Sequence, residues 1–238
     1  MGSFGYRGKG ETMFSKRKKL IVSGCSWTRG HEDDLPYPIW PEILAEKMGL
    51  ELFNLGKNGA GNEYIFSTVC DSLVELDDIS FVVVMWSEYF RLDFDMFHDT
   101  SVYHIHHNEI ENIFSGWYQR SSAKGPTKRS IRFAYALQDL MKDIPNIQVQ
   151  GLRPVHYIPN KEHKFKYIKE CVNVIIDSPY EINKKFLYWP LMLEIGGKCM
   201  EDFLKPNELY DNHQHPNEKG HQKIADILYK EIGRDYVF

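Results

Sequence analysis

Cysteine is scarce and scattered. The four cysteines (Cys25, Cys70, Cys171 and Cys199) form no Cys-x-x-Cys pair, which argues against a zinc ribbon or a redox dithiol and leaves free thiols of a reducing compartment as the reading. No apolar run approaches the roughly 18 residues of a membrane span. No stretch near the start has the basic-then-apolar order of a secretory signal. Those two absences lead to the expectation of a cytoplasmic chain without a membrane partner. Excess positive charge is missing too: 29 Lys and Arg stand against 33 Asp and Glu, a formal net charge of −4, so no nucleic-acid partner is expected. No internal repeat is visible. His104, His106 and His107 with Glu109 come nearest to a metal set, since His104 and His106 would share one face of a strand. No third ligand follows at a fixed spacing, so no metal is expected.

What is present is an ordinary globular composition: 238 residues, 42% apolar and 26% charged, enough for one sizeable α/β domain and little more. Residues 1–18 alternate glycine with basic residues and end in Lys16-Arg17-Lys18, which reads as a disordered basic tail. Residues 19–238 read as a single domain. Lys19 to Ser23 is a short apolar strand closed by Gly24, and Pro38 to Met48 has helical spacing with Gly49 as its stop. Glu51 to Leu55 is a second strand, followed by the glycine-rich 56–61, and Asn62 to Leu76 is a second helix. Ile79 to Trp86 is apolar without alternation, as a central parallel strand covered on both faces would be. From about 87 to 125 the period is lost among aromatics and histidines, which reads as an insertion over a site. Thr127 to Lys142 resumes helical spacing, Ile147 to Leu152 is a fourth strand, and a helix falls near Lys161 to Val174. Phe186 to Tyr210 reads as irregular, and Asn217 to Ile232 as an amphipathic helix. The alternation predicts a parallel sheet with helices on both faces, its site at the carboxyl ends of the strands.

Two segments carry chemistry. Gly24-Cys25-Ser26-Trp27-Thr28 puts a serine on the turn after the first strand. Asp211-Asn212-His213-Gln214-His215-Pro216 puts histidines and an aspartate just before the last helix. A fold joining the two would set a nucleophile beside a base and its orienter. Ser26 is the nucleophile of that reading and Cys25 its competitor. His215 is the base, with His213 competing, and His221, one turn into the helix, reads as structural.

In their order and placement these segments resemble the blocks of the SGNH (GDSL-like) hydrolases, of the divergent kind met in phage and marine bacterial genomes. Gly24-Cys25-Ser26-Trp27-Thr28 resembles the first block with Cys25 in the Asp place. Asn54-Leu55-Gly56-Lys57-Asn58-Gly59 resembles the second, and His215-Pro216 the end of the last. The resemblance implies a three-layer α/β/α sandwich with a central parallel sheet of the flavodoxin-like kind. It also implies a serine hydrolase of ester bonds, carbohydrate deacetylation among them, with no cofactor and a small-molecule or carbohydrate ester as partner. Ser26 and His215 are then catalytic, the Ser26 and Gly59 N–H groups face the oxyanion, and Trp27, Asn62, Glu88 and Arg91 contact substrate.

Two departures from the family pattern stand out. Three residues before His215 the family has Asp and this chain has Asn212, with Asp211 one place earlier, so either could orient the base. After the third strand, where the family has an asparagine donor, stands Ser87-Glu88. An ionised glutamate cannot donate, which leaves the Ser87 hydroxyl as substitute and Arg91 nearby. These departures keep two other readings in play: a non-catalytic binding module on the same scaffold, and acyl transfer by the same residues.

Overall fold

The computed structural model describes residues 18–31, 35–95, 102–105, 122–155, 161–205 and 209–235. In chain order its strands are β1 (Lys19–Ser23), β2 (Glu51–Asn54), β3 (Ile79–Trp86), β4 (Leu92–Asp95), β5 (Val102–Ile105), β6 (Asn146–Gln150) and β7 (Phe186–Leu187). Its helices are α1 (Ser26–Arg29), α2 (Trp40–Met48), α3 (Asn62–Glu75), α4 (Lys124–Leu140), α5 (Lys161–Ile176), α6 (Met200–Leu204) and α7 (Glu218–Asp235). Five strands form one parallel sheet in the order β2-β1-β3-β6-β7, with Ile21 beside Phe53 on one side and Val82 on the other. This is the flavodoxin-like order. Helices α2 and α7 pack together, and α3, α4 and α5 form a second group. The sheet they flank is buried on both faces at β1 and β3. The fold is the three-layer α/β/α sandwich with a central parallel sheet that the motifs implied.

The apolar runs account for the centre. Six consecutive residues of β3, Phe81 to Trp86, are buried, as are four of the five in β1. Strand β6 looks half-exposed, since Asn146, Gln148 and Gln150 alternate with apolar residues, yet all three amides have 0% exposure. Their amide N–H groups are spent internally, while Gln150 Oε1 has no partner among the described residues. Gln148 accepts from Trp86 Nε1 and donates to the Ala134 carbonyl, and Gln150 donates to the Ser87 and Leu152 carbonyls. A buried amide costs little once its partners are fixed.

The late region read as irregular contains three short elements. β7 is a two-residue strand on the sheet edge, Leu193–Ile195 is a 3-10 turn, and α6 follows it. Elements of two to five residues carry too little period to show in a sequence. The region read as an insertion begins with an antiparallel hairpin, β4 with β5. His104 lies in β5, whereas His106, His107 and Glu109 fall outside the described residues, as does the basic tail up to residue 17. The hairpin is tied to the body by Asp93, whose carboxylate accepts the Gly61 and Tyr64 N–H groups at 2.7 and 2.8 Å. An anion there satisfies orphan donors at the start of α3 and complements its dipole. Among the described residues no helix is long and apolar enough to cross a membrane.

Candidate active site

The site begins where β1 ends. Gly24 sits in a space no side chain could share: a Cβ would come within 2.0 Å of Thr28 Oγ1 and 3.1 Å of the Met85 carbonyl oxygen. That close approach lets the chain turn from strand directly into α1, whose first residue is Ser26. The turn is closed by the Cys25 carbonyl, which accepts the Thr28 and Arg29 N–H groups at 2.8 and 3.1 Å. Loop 55–60 runs alongside. Its Lys57 N–H donates to the Gly24 carbonyl, and Asn54 donates from Nδ2 to the Thr28 carbonyl while Oδ1 accepts the Gly56 N–H. Gly59 has φ 76° in a turn closed by Ala60 N–H to Lys57 carbonyl, a conformation that favours glycine. Neither the Ser26 nor the Gly59 N–H makes a hydrogen bond among the described residues.

The candidate base, His215, arrives from the other end of the chain. Tyr210 and Pro216 form an antiparallel bridge, and the loop between them is wound around Asp211. Its N–H donates to the His215 carbonyl, and its Oδ1 accepts the N–H groups of His213 and His215 at 2.8 and 2.9 Å. A carboxylate that binds its own loop in this way is an Asx turn extended by one bond. Asn217 then caps α7, accepting the Gly220 N–H at 3.0 Å. With the loop fixed, His215 Nε2 lies 2.9 Å from Ser26 Oγ, across 189 positions of sequence.

Asp211 does not bond the His215 ring. Its Oδ2 lies 2.9 Å from Nε2 of His31, without an aligned hydrogen bond. His31 lies in the polar loop after α1, where nothing in the sequence marks it. Its ring stacks on that of His215, with centroids 4.6 Å apart and planes 15° off parallel. His215 Nδ1 is buried and makes no hydrogen bond among the described residues. Asn212 is exposed and without a side-chain bond among them. Burial holds the His215 pKa below the usual imidazole value; His31 and Arg91 push the same way, and Asp211 and the His213 backbone oppose them. A lowered pKa keeps the ring neutral at pH 7, as a general base requires.

His31, Asp211 and His215 also present ligand atoms within 4.8 Å of one another, the separation a metal ion could bridge. Ring nitrogens ligate in the ring plane, however, and two nearly parallel stacked rings do not aim at a common point. One ring would have to turn before the three could share an ion.

The remaining candidates divide by what they touch. Ser87 is fully buried, its N–H donates to Asn62 Oδ1, and its hydroxyl has no partner among the described residues. Asn62 is committed to this clamp, donating in turn to the Ser87 carbonyl and Ser130 Oγ. Trp27 is 2% exposed; its carbonyl accepts from Trp40 Nε1 and its ring packs against Tyr210, so it supports the base loop from beneath rather than lining an opening. Glu88 and Arg91 form an ion pair at 2.9 Å with about a tenth of each side chain exposed. Burial lowers the Arg91 pKa, but Glu88 and Cys25 outweigh it, so the guanidinium is held charged beside the thiol preceding Ser26. His221 Nδ1 accepts the Trp40 N–H at 3.2 Å, satisfying a donor at the start of α2. Two residues therefore escaped the sequence: His31, and Asp93 behind the second block.

No family model matches the chain, and no curated protein does. Solved structures do. A lipolytic protein of the G-D-S-L family from Veillonella parvula is 13% identical, covering 91% of this chain and 99% of its own, with a TM-score of 0.49. The SGNH-hydrolase family esterase AlinE4 is 13% identical over 97% of this chain and 100% of its own, with a TM-score of 0.45. An acetyl-xylooligosaccharide esterase from Geobacillus is 13% identical over 94% and 97%, with a TM-score of 0.42. At such identities the likeness is one of fold.

Proposed function

We propose that the chain is a serine hydrolase of ester bonds, and the observation that carries the reading is the 2.9 Å contact between Ser26 Oγ and His215 Nε2. Ser26 Oγ attacks the ester carbonyl while Nε2 takes its proton. The carbonyl oxygen becomes an oxyanion facing the Ser26 and Gly59 N–H groups, with the Ser87 hydroxyl as a third donor. His215 returns the proton to the leaving alcohol, and water repeats the sequence on the acyl-enzyme. The motif resemblance brings acetylated carbohydrate as the substrate class, and a sugar hydroxyl in place of water would give acyl transfer through the same intermediate.

A second reading is a binding module, and the Glu88–Arg91 pair favours it. The family's third block supplies a donor there, and this chain places a satisfied ion pair. Hydrolysis of p-nitrophenyl acetate by the wild type, Ser26→Ala and His215→Ala separates the two. The enzyme reading expects each substitution to cost at least about 10³ in kcat with the circular dichroism spectrum unchanged. Activity surviving Ser26→Ala removes Ser26 as nucleophile. An inactive wild type that also fails to take a fluorophosphonate label on Ser26 selects the binding module.

A further inference from the structure

We infer that His31 is a positioning residue for the His215 base: Asp211 acts on His215 through the stacked His31 ring, not through a direct carboxylate–imidazole hydrogen bond. This rests on the reading of His215 as the base. Three observations carry it. The Asp211 carboxylate is divided, Oδ1 to the loop N–H groups and Oδ2 to His31. The His31 ring lies against the His215 ring within 15° of parallel. His215 Nδ1, where an orienting carboxylate would sit, makes no hydrogen bond among the described residues.

The geometry restricts the base from its flat side. A ring donating from Nδ1 to a carboxylate is held along one line and can still rock about it, whereas a ring lying against another is held across its whole face. His31 is itself anchored at both ends, its carbonyl accepting from Asn58 Nδ2 at 3.3 Å and its ring facing Asp211. Asn58 belongs to the turn that carries Gly59, so the base and the oxyanion loop meet at one residue.

Among the described residues, the charged and titratable groups around the pair are few. From the base loop come Asp211 and His213, the latter with its ring centroid 6.0 Å from that of His31. His221 of α7 interacts electrostatically with both His31 and His215, and Arg91 with His215. Removing the His31 imidazole takes away one group that disfavours a charged His215, and it releases Asp211 Oδ2 to approach Nδ1. Both changes favour the imidazolium, so the His215 midpoint rises.

The test is the titration of the His215 ring by nitrogen-15 NMR on the full chain, in the wild type, His31→Phe and His31→Gln. His31→Phe keeps a stacked ring and loses the pairing; His31→Gln keeps a donor for Asp211 and loses the stack. Both are expected to move the His215 midpoint up, by about one pH unit for His31→Phe. The acid limb of the kcat/KM profile for p-nitrophenyl acetate should follow, with kcat down about tenfold and KM unchanged. A His215 midpoint that stays put in whichever variant folds overturns the proposal. The titration needs no turnover, so an inactive wild type that also takes no fluorophosphonate label on Ser26 would sink the esterase reading, while the coupling of His31 to His215 is still judged by the midpoint.

Discussion

The turn that carries Ser26 and the loop that carries His215 meet within hydrogen-bonding distance but are built by different means. The Ser26 turn is held by close packing. Gly24 leaves no room for a Cβ, residues 20–28 are all buried, and the bonds that close the turn run between backbone atoms. The 210–217 loop is held chiefly by the Asp211 side chain, with Asn217 Nδ2 donating to the Tyr210 carbonyl at 3.2 Å. Residues 212–214 are exposed, Gln214 adopts φ 61°, and Asp211 supplies the contacts that give the loop its shape. A turn closed by packing and backbone bonds is insensitive to pH and fails with changes of volume. A carboxylate-wound loop does the reverse, so the two halves of one site should respond to different perturbations.

Acidification should give the largest effect, on the base side. Burial, with His31 and His215 nearby, lowers the His221 pKa to about 4, against 6.5 for a free imidazole, while Asp211 opposes the shift. A histidine depressed in the folded state contributes stability that is present above pH 6.5 and lost as pH falls towards 4, because the unfolded chain binds the proton first. The shift corresponds to about 3 kcal/mol. Urea unfolding between pH 7 and 4 should show the loss, and His221→Gln should remove most of the slope. An unchanged slope in that variant would place the acid sensitivity elsewhere.

Gly24→Ala tests the packed half. The added methyl meets Thr28 Oγ1 and the Met85 carbonyl, and overpacking of this kind costs about 2 kcal/mol. The loss should appear in the urea midpoint at every pH, in contrast to His221. Asp211→Ala tests the wound half. It removes the acceptor of two N–H groups and the partner of His31, a loss of about 2 kcal/mol at most, since the carboxylate is partly solvated. Esterase activity should fall more steeply than stability, and hydrogen exchange should rise at His213 and His215 but not at Thr28 or Arg29. Uniform exchange across both segments would mean the halves are not independent. Smallest is Asn217→Ala, which uncaps α7 at about 1 kcal/mol, read as a shift in the thermal midpoint with little change in kcat.

Much of the fold was legible because its signals are local. The apolar runs of β1 and β3 admit one placement, and Gly49 and Asn217 mark helix ends by chemistry that acts within a turn. The two-residue β7 and the five-residue α6 were not legible, since they form against surfaces the rest of the chain provides. The burial of Asn146, Gln148 and Gln150 has the same origin. Their pattern is that of a half-exposed strand, and only the Trp86, Ala134 and Ser87 partners make it an interior one.

The candidate site divides in the same way. Ser26, Gly59 and His215 could be named from residue type and neighbours, because a glycine turn after a strand and a His-Pro before a helix are local constructions. The partner of Asp211 could not. In sequence Asp211 and Asn212 were equal candidates to orient the base; in three dimensions the carboxylate faces His31 and the amide faces solvent. The chain's own order of residues thus establishes which elements form and which side chains are chemically competent. Which of those side chains touch depends on long-range packing, which sets Asp211 Oδ2 at 2.9 Å from His31 Nε2 across 180 positions of sequence.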